Sequence, residues 1–297
     1  MTISKRCGLV RLLWVAFALT AGSTASSAAA AAPQLLYDPT TLKSALNDSE
    51  PPVVVDVRPQ AAYDAGHVPS ARWVDTNLWR DTTLTPTGLS DRQFWEQQLA
   101  ELGLTRHSKV VVVGDALPEA ARVWWLLRYL GLPQTGVLDG GHAAWGDAGY
   151  PLSRERVEFA ASQPQIELQE EMLAELASVQ PAVGGPAECT ILDNRSQAEY
   201  SGTRGVGTRT GHIPGARHVE WNRFVGPQGK LLPADEIRSV LAEERIDVSS
   251  PIVAHCQTGG RSSVAVLALE VAGVRDVKNY YRGWSEYASA LTAPVEK

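Results

Sequence analysis

The sequence predicts an α/β protein with two tandem domains, each a parallel β-sheet flanked by helices. Short runs of apolar, β-branched residues alternate with stretches of helical spacing, which is the pattern of strand–helix–strand units. The same order of runs and motifs then occurs a second time along the chain. A repeat of about 120 residues indicates two similar domains rather than a solenoid.

Four runs are predicted to be buried parallel strands, because they are apolar throughout and do not alternate in polarity. They are residues 53–57 and 109–113 in the first copy and residues 190–193 and 251–254 in the second. In a parallel sheet, the functional crevice lies at the carboxyl ends of the strands. We therefore expect the functional residues to follow such a strand directly.

Each copy continues from its second predicted strand into a predicted helix. Residues 119–130 and 261–272 show helical spacing of their apolar positions, and Gly131 and Gly273 follow where C-terminal caps are expected. These helices complete the alternation of strands and helices in both copies.

Matching motifs relate the two copies residue by residue. In each copy a D-x-R sequence at the end of a strand is followed by a tyrosine and then by a G-H-[VI]-P segment. The matches set the predicted boundaries. They are a first domain at 35–153, a polar linker at 154–165 and a second domain at 166–292, with 1–32 outside the repeat.

Residues 1–32 have the three-part form of a secretory signal peptide. Lys5, Arg6 and Arg11 precede an apolar run at 12–21, and small residues with A-x-A cleavage sites follow it. The run is shorter than the roughly 20 residues that span a bilayer, so we expect no stable membrane anchor. We therefore expect export, into the periplasm if the organism is a Gram-negative bacterium.

Charge and cysteine content exclude several classes of function. The net charge is -6, and it becomes about -9 without the basic leader, which gives no reason to expect binding to nucleic acid. Cys7, Cys189 and Cys256 are too few for a disulfide framework and lack metal-ligand spacing. We therefore expect neither a metal nor another cofactor. Cys189 precedes a strand, where a buried and inert thiol is expected.

The residues after the strand at 251–254 predict a nucleophilic cysteine. Cys256 stands at the start of a glycine-containing loop that leads into a helix, so backbone N–H groups and the helix dipole both favour the thiolate. Gly259 and Gly260 are expected to let the backbone adopt positive φ angles, so that the loop folds tightly around the sulfur. Arg261 can bind an anion through two oxygens. This combination predicts attack by Cys256 on an anionic substrate.

The motifs present in both copies, together with the C-Q-T-G-G-R loop at 256–261, resemble the rhodanese family of sulfurtransferases, specifically its two-domain thiosulfate sulfurtransferases. The resemblance implies two tandem rhodanese-like domains with an active site near their interface. It also implies that Cys256 takes the outer sulfur of thiosulfate as a persulfide and releases sulfite. Cyanide or another thiophilic acceptor then removes that sulfur.

The resemblance assigns different roles to the two domains. Asp115 occupies the position that matches Cys256, and a carboxylate cannot form a persulfide. The first domain is therefore expected to be catalytically silent and to form one wall of the cleft.

Several residues around Cys256 are predicted to bind the substrate. Arg195 is included because the resemblance places the matching arginine of the family beside the substrate; a structural ion pair with a nearby acid is the alternative. His255 is excluded as a general base, because neighbours on a strand point to opposite faces. The predicted substrate-binding residues are Arg261, Arg195, Gln257, Thr258, Gly259 and Gly260.

Three other functions remain open from the sequence. Enzymes that use 3-mercaptopyruvate carry a loop resembling C-G-S-G-V-T, and the cationic loop of this chain suits the thiosulfate dianion better. Animal thiosulfate enzymes, however, have a lysine where this chain has Thr258. Cysteine phosphatases carry an H-C-x5-R loop, one residue longer than the H-C-x4-R of this chain. A sulfur relay to a protein thiol is the third possibility.

Overall fold

The computed structural model describes residues 33–180, 189–205, 207 and 209–297. The signal peptide predicted at 1–32 lies outside these residues. Two parallel sheets with flanking helices form the framework, which confirms the predicted fold class. Within the described residues, no helix is long and apolar enough to cross a lipid bilayer.

The first domain alternates strands and helices, with a 3-10 turn at Gly88–Ser90. Its elements are β1 (Leu36–Tyr37), α1 (Pro39–Ala45), β2 (Val53–Asp56), α2 (Gln60–Ala65), β3 (Arg72–Trp73), α3 (Thr76–Thr83), α4 (Arg92–Glu101), β4 (Val110–Val113), α5 (Leu117–Tyr129), β5 (Thr135–Leu138) and α6 (Gly141–Asp147). The strands form a five-stranded parallel sheet in the order β1-β5-β4-β2-β3. The predicted strands of the first copy are β2 and β4.

The second domain repeats this arrangement, with 3-10 turns at Glu170–Met172, Trp221–Phe224 and Pro227–Gly229. Its elements are α7 (Leu176–Val179), β6 (Thr190–Asp193), α8 (Gln197–Tyr200), β7 (Arg217–His218), α9 (Ala234–Glu243), β8 (Ile252–His255), α10 (Gly260–Val271), β9 (Val277–Tyr280) and α11 (Gly283–Tyr287). The parallel order β7-β6-β8-β9 matches β3-β2-β4-β5 of the first domain. Where the first domain has β1, the second has a parallel bridge between Leu173 and Asn279.

The matching helices α5 and α10 pack against each other and join the two domains. Both are buried on most sides, as expected for helices whose apolar residues are not confined to one stripe. A single hydrophobic cluster contains Trp124 and Trp125 of α5 together with Val264 and Leu267 of α10. The outer face of each sheet packs a separate cluster. The two domains therefore share a continuous core across their interface.

The stretch predicted as the linker is held against the first domain. Residues 154–165, all described, contain no regular helix or strand. Arg156 pairs with Asp64 at 2.8 Å, and Ser162 Oγ donates a hydrogen bond of 2.5 Å to the carbonyl of Leu104. The connection is therefore packed along the first domain rather than free of it.

Candidate active site

Cys256 lies directly after β8, at the carboxyl end of a buried strand. All residues of β8 are buried, and Cys256 is itself only 1% exposed. The chain then turns through 257–259 and enters α10 at Gly260. Because β8 has a neighbouring strand on each side, Cys256 lies in the interior of the carboxyl edge, where open parallel sheets bind their ligands.

The first three carbonyls of the loop accept hydrogen bonds from groups outside the loop. Cys256 O and Gln257 O accept hydrogen bonds from N–H groups at the start of α11, at 2.8 Å and 3.2 Å. Thr258 O accepts a hydrogen bond of 2.5 Å from Nη1 of Arg122, which belongs to the first domain. The C=O and N–H of a trans peptide point in opposite directions. The N–H groups that follow these carbonyls therefore point away from α11 and from Arg122.

The N–H groups of the loop remain available to a ligand. Across the described part of the chain, none of the N–H groups from Gln257 to Ser262 donates to a backbone oxygen. Gly260, Arg261 and Ser262 form the first turn of α10, where the helix dipole adds partial positive charge. A run of unpaired N–H groups at a helix N-terminus stabilises an anion. The backbone beside Cys256 therefore favours negatively charged sulfur.

Close packing accounts for both glycines of the loop. Gly259 has a φ angle of 89°, and a Cβ atom there would lie 2.7 Å from the ring of Tyr281. A Cβ atom on Gly260 would lie 2.8 Å from Arg122 Nη2. The predicted positive φ is found at Gly259, whereas Gly260 already belongs to α10 and has no positive φ, so the prediction is wrong for Gly260. The structure adds that Tyr281, just after β9, and Arg122 of α5 leave no room for larger residues.

Ser262, which the sequence analysis did not single out, contacts the sulfur. Its Oγ atom lies 3.6 Å from Cys256 Sγ, 3.0 Å from Gly259 O and 2.8 Å from Asn279 Oδ1. A hydroxyl has one proton, so it donates to one of these acceptors at a time. A negative charge on the sulfur attracts that proton. The two serines in the first turn of the predicted helix were the available signal in the sequence.

Arg261 lies in the first turn of α10 and is engaged by an acid. Its Nη1 and Nη2 atoms donate to the two carboxylate oxygens of Glu199 at 2.7 Å and 2.9 Å. Burial opposes ionisation of Glu199, but hydrogen bonds from Arg261 and Ser196 outweigh it and lower the pKa of Glu199 to about 2. The guanidinium is thus held in a fixed orientation. The ion pair uses two of its five N–H donors, which leaves others for an anionic substrate.

Glu199 was not among the predicted site residues. It forms a capping box with Ser196 at the start of α8, in which Ser196 N donates to Glu199 Oε2 at 3.0 Å. The S-x-x-E spacing is a recognised sequence signal for a helix start. It does not reveal that the carboxylate also reaches Arg261, 62 residues further along the chain.

Arg195 is buried and paired with an acid at the end of β6, and its predicted contact with substrate stays a prediction. It is 1% exposed, and its Nε and Nη2 atoms donate to the Asp193 carboxylate at 2.9 Å and 2.5 Å. Arg58 makes the same contacts with Asp56 in the first domain. In both domains Nη2 also donates to the glycine carbonyl of the G-H-[VI]-P segment. These contacts match the alternative of a structural ion pair, so we leave Arg195 out of the proposed substrate site.

His255 and Cys189 are directed elsewhere. His255 is fully buried, and its Nε2 atom lies 3.6 Å from Asp193 Oδ2. Burial lowers the pKa of His255, and the Asp193 charge opposes that shift. Cys189 immediately precedes β6, at the opposite end of the strands from Cys256, and packs on the outer cluster of the second domain.

Comparison with known proteins identifies the family of this chain. The rhodanese-like domain family matches residues 38–148 and again residues 170–290, one stretch for each sheet. The chain belongs to the rhodanese family. A thiosulfate sulfurtransferase from Azotobacter vinelandii is 33% identical over 264 residues, which cover 88% of this chain and 97% of that protein. The thiosulfate sulfurtransferase of Pseudomonas aeruginosa is 31% identical over 265 residues, with the same coverage of each chain.

A solved structure of this family has a similar fold. It is a 3-mercaptopyruvate sulfotransferase from Escherichia coli, with 26% identity and a TM-score of 0.72 over 84% of this chain and 98% of that one. Similarity therefore extends to rhodanese proteins named for two different sulfur donors.

The two rhodanese domains of this chain differ at the position of the cysteine. In the first domain Asp115 follows β4, with its side chain 58% exposed and Oδ1 4.0 Å from His142 Nδ1. This domain reaches the Cys256 loop through Arg122 on α5. The sequence predicts that this domain is catalytically silent and forms one wall of the cleft. It gives no indication that an arginine of this domain crosses the interface.

Proposed function

We propose that this protein is a thiosulfate sulfurtransferase that carries sulfur as a persulfide on Cys256. One observation carries the proposal. Cys256 is buried at the start of a loop whose carbonyls are engaged from outside and whose N–H groups, from Gln257 to Ser262, donate to no backbone oxygen in the described chain. Such a site stabilises an anionic sulfur, which is the form required before and after transfer.

The reaction that the family resemblance implies has two steps. The Cys256 thiolate attacks the outer sulfur of thiosulfate, so a new S–S bond forms while the S–S bond to the sulfonate group breaks. The electron pair of the broken bond leaves with sulfite, and the persulfide keeps one negative charge. Cyanide then attacks the terminal sulfur, thiocyanate leaves, and the thiolate is restored.

Three groups favour the negative charge through both steps. The loop N–H groups and the dipole of α10 act at all stages. Ser262 can turn its hydroxyl from Asn279 to the sulfur. Arg261, oriented by Glu199, supplies donors for the sulfonate oxygens of the substrate. Gln257 and Thr258 are partly exposed and complete the proposed binding site.

The alternative sulfur donor is 3-mercaptopyruvate. The similarity to the Escherichia coli enzyme named for that substrate supports this alternative. Two relatives named thiosulfate sulfurtransferase are more similar in sequence, and the guanidinium of Arg261 suits a dianion. We therefore propose thiosulfate as the preferred donor. A protein thiol remains the alternative acceptor to cyanide.

We also propose that the protein is exported. The proposal is supported by the basic start, the short apolar run and the small residues within 1–32. In a Gram-negative bacterium this would place the sulfurtransferase in the periplasm.

Steady-state turnover of the purified protein tests the choice of donor. With cyanide as acceptor, kcat/KM for thiosulfate is expected to exceed kcat/KM for 3-mercaptopyruvate by at least about tenfold, equivalent to roughly 1.4 kcal/mol of transition-state binding. A higher kcat/KM for 3-mercaptopyruvate would overturn the choice of donor. Turnover of neither donor would overturn the proposed function.

A further inference from the structure

Arg122 connects the first domain to the loop that contains Cys256. Its side chain is 5% exposed and extends from α5 across the domain interface. Nη1 donates to Thr258 O at 2.5 Å and lies 3.2 Å from the hydroxyl of Tyr281. On its own helix, Nε lies 3.3 Å from Glu119 Oε2. Each of these contacts is made by a nitrogen atom of the guanidinium group. Arg122 is therefore not simply filling space in the core.

Arg122 also constrains the start of α10. Its Nη2 atom lies so near Gly260 that a Cβ atom there would be 2.8 Å away, and the carbonyl of Pro118 would be 3.2 Å away. The first domain therefore approaches the loop at two successive points, Thr258 and Gly260. Gly259, between them, is covered by Tyr281, which Arg122 also contacts.

The hydrogen bond to Thr258 fixes the orientation of one peptide group in the loop. Because the carbonyl points toward Arg122, the N–H of Gly259 points to the other side of the same planar peptide. Without the arginine, this part-buried carbonyl would lack its charged donor, and the peptide could rotate to find another. Rotation would move one N–H donor away from the anion site.

The charge of Arg122 is less fully neutralised than that of Arg261. Glu199 binds Arg261 with two hydrogen bonds and has a 16% exposed side chain. Glu119, the acid beside Arg122, makes one contact at 3.3 Å and has a 42% exposed side chain. Burial alone would lower the pKa of Arg122, but Tyr281, Glu119 and the charge of Cys256 together raise it. Arg122 therefore keeps its positive charge beside the loop.

We propose that Arg122 is a positioning residue for sulfur transfer, supplied to the Cys256 loop by the first domain, which has Asp115 at the position of the cysteine. It holds the Thr258 carbonyl and places a buried positive charge beside the loop. Both actions favour the anionic forms of Cys256. The proposal rests on the proposed function for its catalytic consequence, whereas its effect on the thiolate can be measured without any substrate.

Alkylation of Cys256 by iodoacetamide, a neutral reagent, measures that effect. The rate is followed from pH 5 to 10 by mass spectrometry of the Cys256 peptide, so that alkylation of Cys189 does not interfere. Other charged groups around the site are Arg261 with Glu199, and His255 with Asp193. These groups are unchanged in the variants below.

Two variants separate the charge of Arg122 from its fork geometry. Arg122→Gln removes the charge and is expected to raise the pH midpoint of alkylation by about one unit. Arg122→Lys keeps a charge, so its alkylation midpoint is expected to stay within about 0.3 pH units of the wild-type midpoint. Its kcat for sulfite release is expected to fall by about fivefold, because one ammonium group cannot replace the several N–H donors of the planar guanidinium. Arg128→Gln is the matched control. It lies on the same helix and pairs with Glu270 across the same interface.

The outcomes distinguish this proposal from the proposed function. An unchanged alkylation midpoint in Arg122→Gln, or an equal shift in Arg128→Gln, would overturn the role of Arg122. If Arg122→Gln does not fold, Arg122→Lys provides the test. An unchanged kcat for sulfite release in that variant would then overturn the proposed role of Arg122. A wild-type protein that takes up no sulfur from thiosulfate would overturn the proposed function, and the alkylation midpoints would still report on Arg122.

Discussion

Ser262 Oγ lies 3.6 Å from Cys256 Sγ, and the same hydroxyl lies 2.8 Å from Asn279 Oδ1. Cys256 and Asn279 are both buried, and solvent does not compete for the proton of the hydroxyl. When Cys256 is a neutral thiol, the Ser262 hydroxyl has its shorter contact with the amide oxygen of Asn279. With a thiolate or a persulfide, the charge strengthens the bond to sulfur, as charge-assisted hydrogen bonds are stronger than neutral ones.

Replacement of Ser262 by alanine is expected to slow sulfur uptake. The variant loses a hydrogen bond to a charged sulfur, and we expect kcat for sulfite release to fall about tenfold. Ser263→Ala is the matched control, because Ser263 is equally buried but bonds to Gly259 O and Asn279 instead of the sulfur. Single-turnover release of sulfite measures both. An equal loss in the two variants would mean that Ser262 acts only through packing.

Arg195 and Arg58 are expected to give the same result when each is replaced by methionine. Either change leaves a buried aspartate without its partner, so the free energy of unfolding is expected to fall by about 3–5 kcal/mol in both variants. Urea denaturation measures this loss. KM for thiosulfate, measured on the folded protein, is expected to agree between the variants within about twofold. A KM increase confined to Arg195→Met would restore its predicted contact with substrate.

The ion pair between Glu199 and Arg261 is expected to make stability depend on pH. The pKa of Glu199 falls from its ordinary 4.5 to about 2 in the folded protein, so the carboxylate stabilises the fold above pH 4.5. That contribution disappears as the pH falls toward about 2. The stability difference between wild type and Glu199→Gln is therefore expected to be on the order of 2 kcal/mol at pH 7 and to shrink below pH 4.

Urea denaturation at several pH values checks this dependence. Glu243→Gln is a suitable control, because Glu243 forms a surface pair with Arg223 at 2.9 Å and its side chain is 67% exposed. Surface pairs contribute little to stability. A constant difference between wild type and Glu199→Gln from pH 7 to 3 would contradict a stabilising charge on Glu199.

The fold could be predicted because the features that indicate it lie in short stretches of sequence and occur in both copies of the repeat. The apolar runs that form β2, β4, β6 and β8 are all visible in the sequence, and the repeat places them in two similar sheets. The position of Cys256 between β8 and α10 followed from the same reasoning. A strand, a glycine-containing loop and a helix start are features of adjacent residues.

The rest of the site depends on contacts between distant parts of the chain. Arg122 meets Thr258 across 136 residues, and Glu199 meets Arg261 across 62. No local pattern indicates which face of a buried helix will approach a particular loop. The role of Arg195 stays a prediction. Its contacts with Asp193 are repeated by Arg58 and Asp56 in the first domain, which has no cysteine at the matching position, and this repetition favours a structural role.

Mass spectrometry of the protein after treatment with thiosulfate tests the central claim most directly. The Cys256 peptide is expected to gain the mass of one sulfur atom and to lose it on addition of cyanide. Cys189→Ser is expected to behave as wild type, and Cys256→Ser is expected to gain no sulfur and to have no turnover. Sulfur on the Cys189 peptide, or turnover that persists in Cys256→Ser, would contradict the assignment of Cys256 as the sulfur carrier.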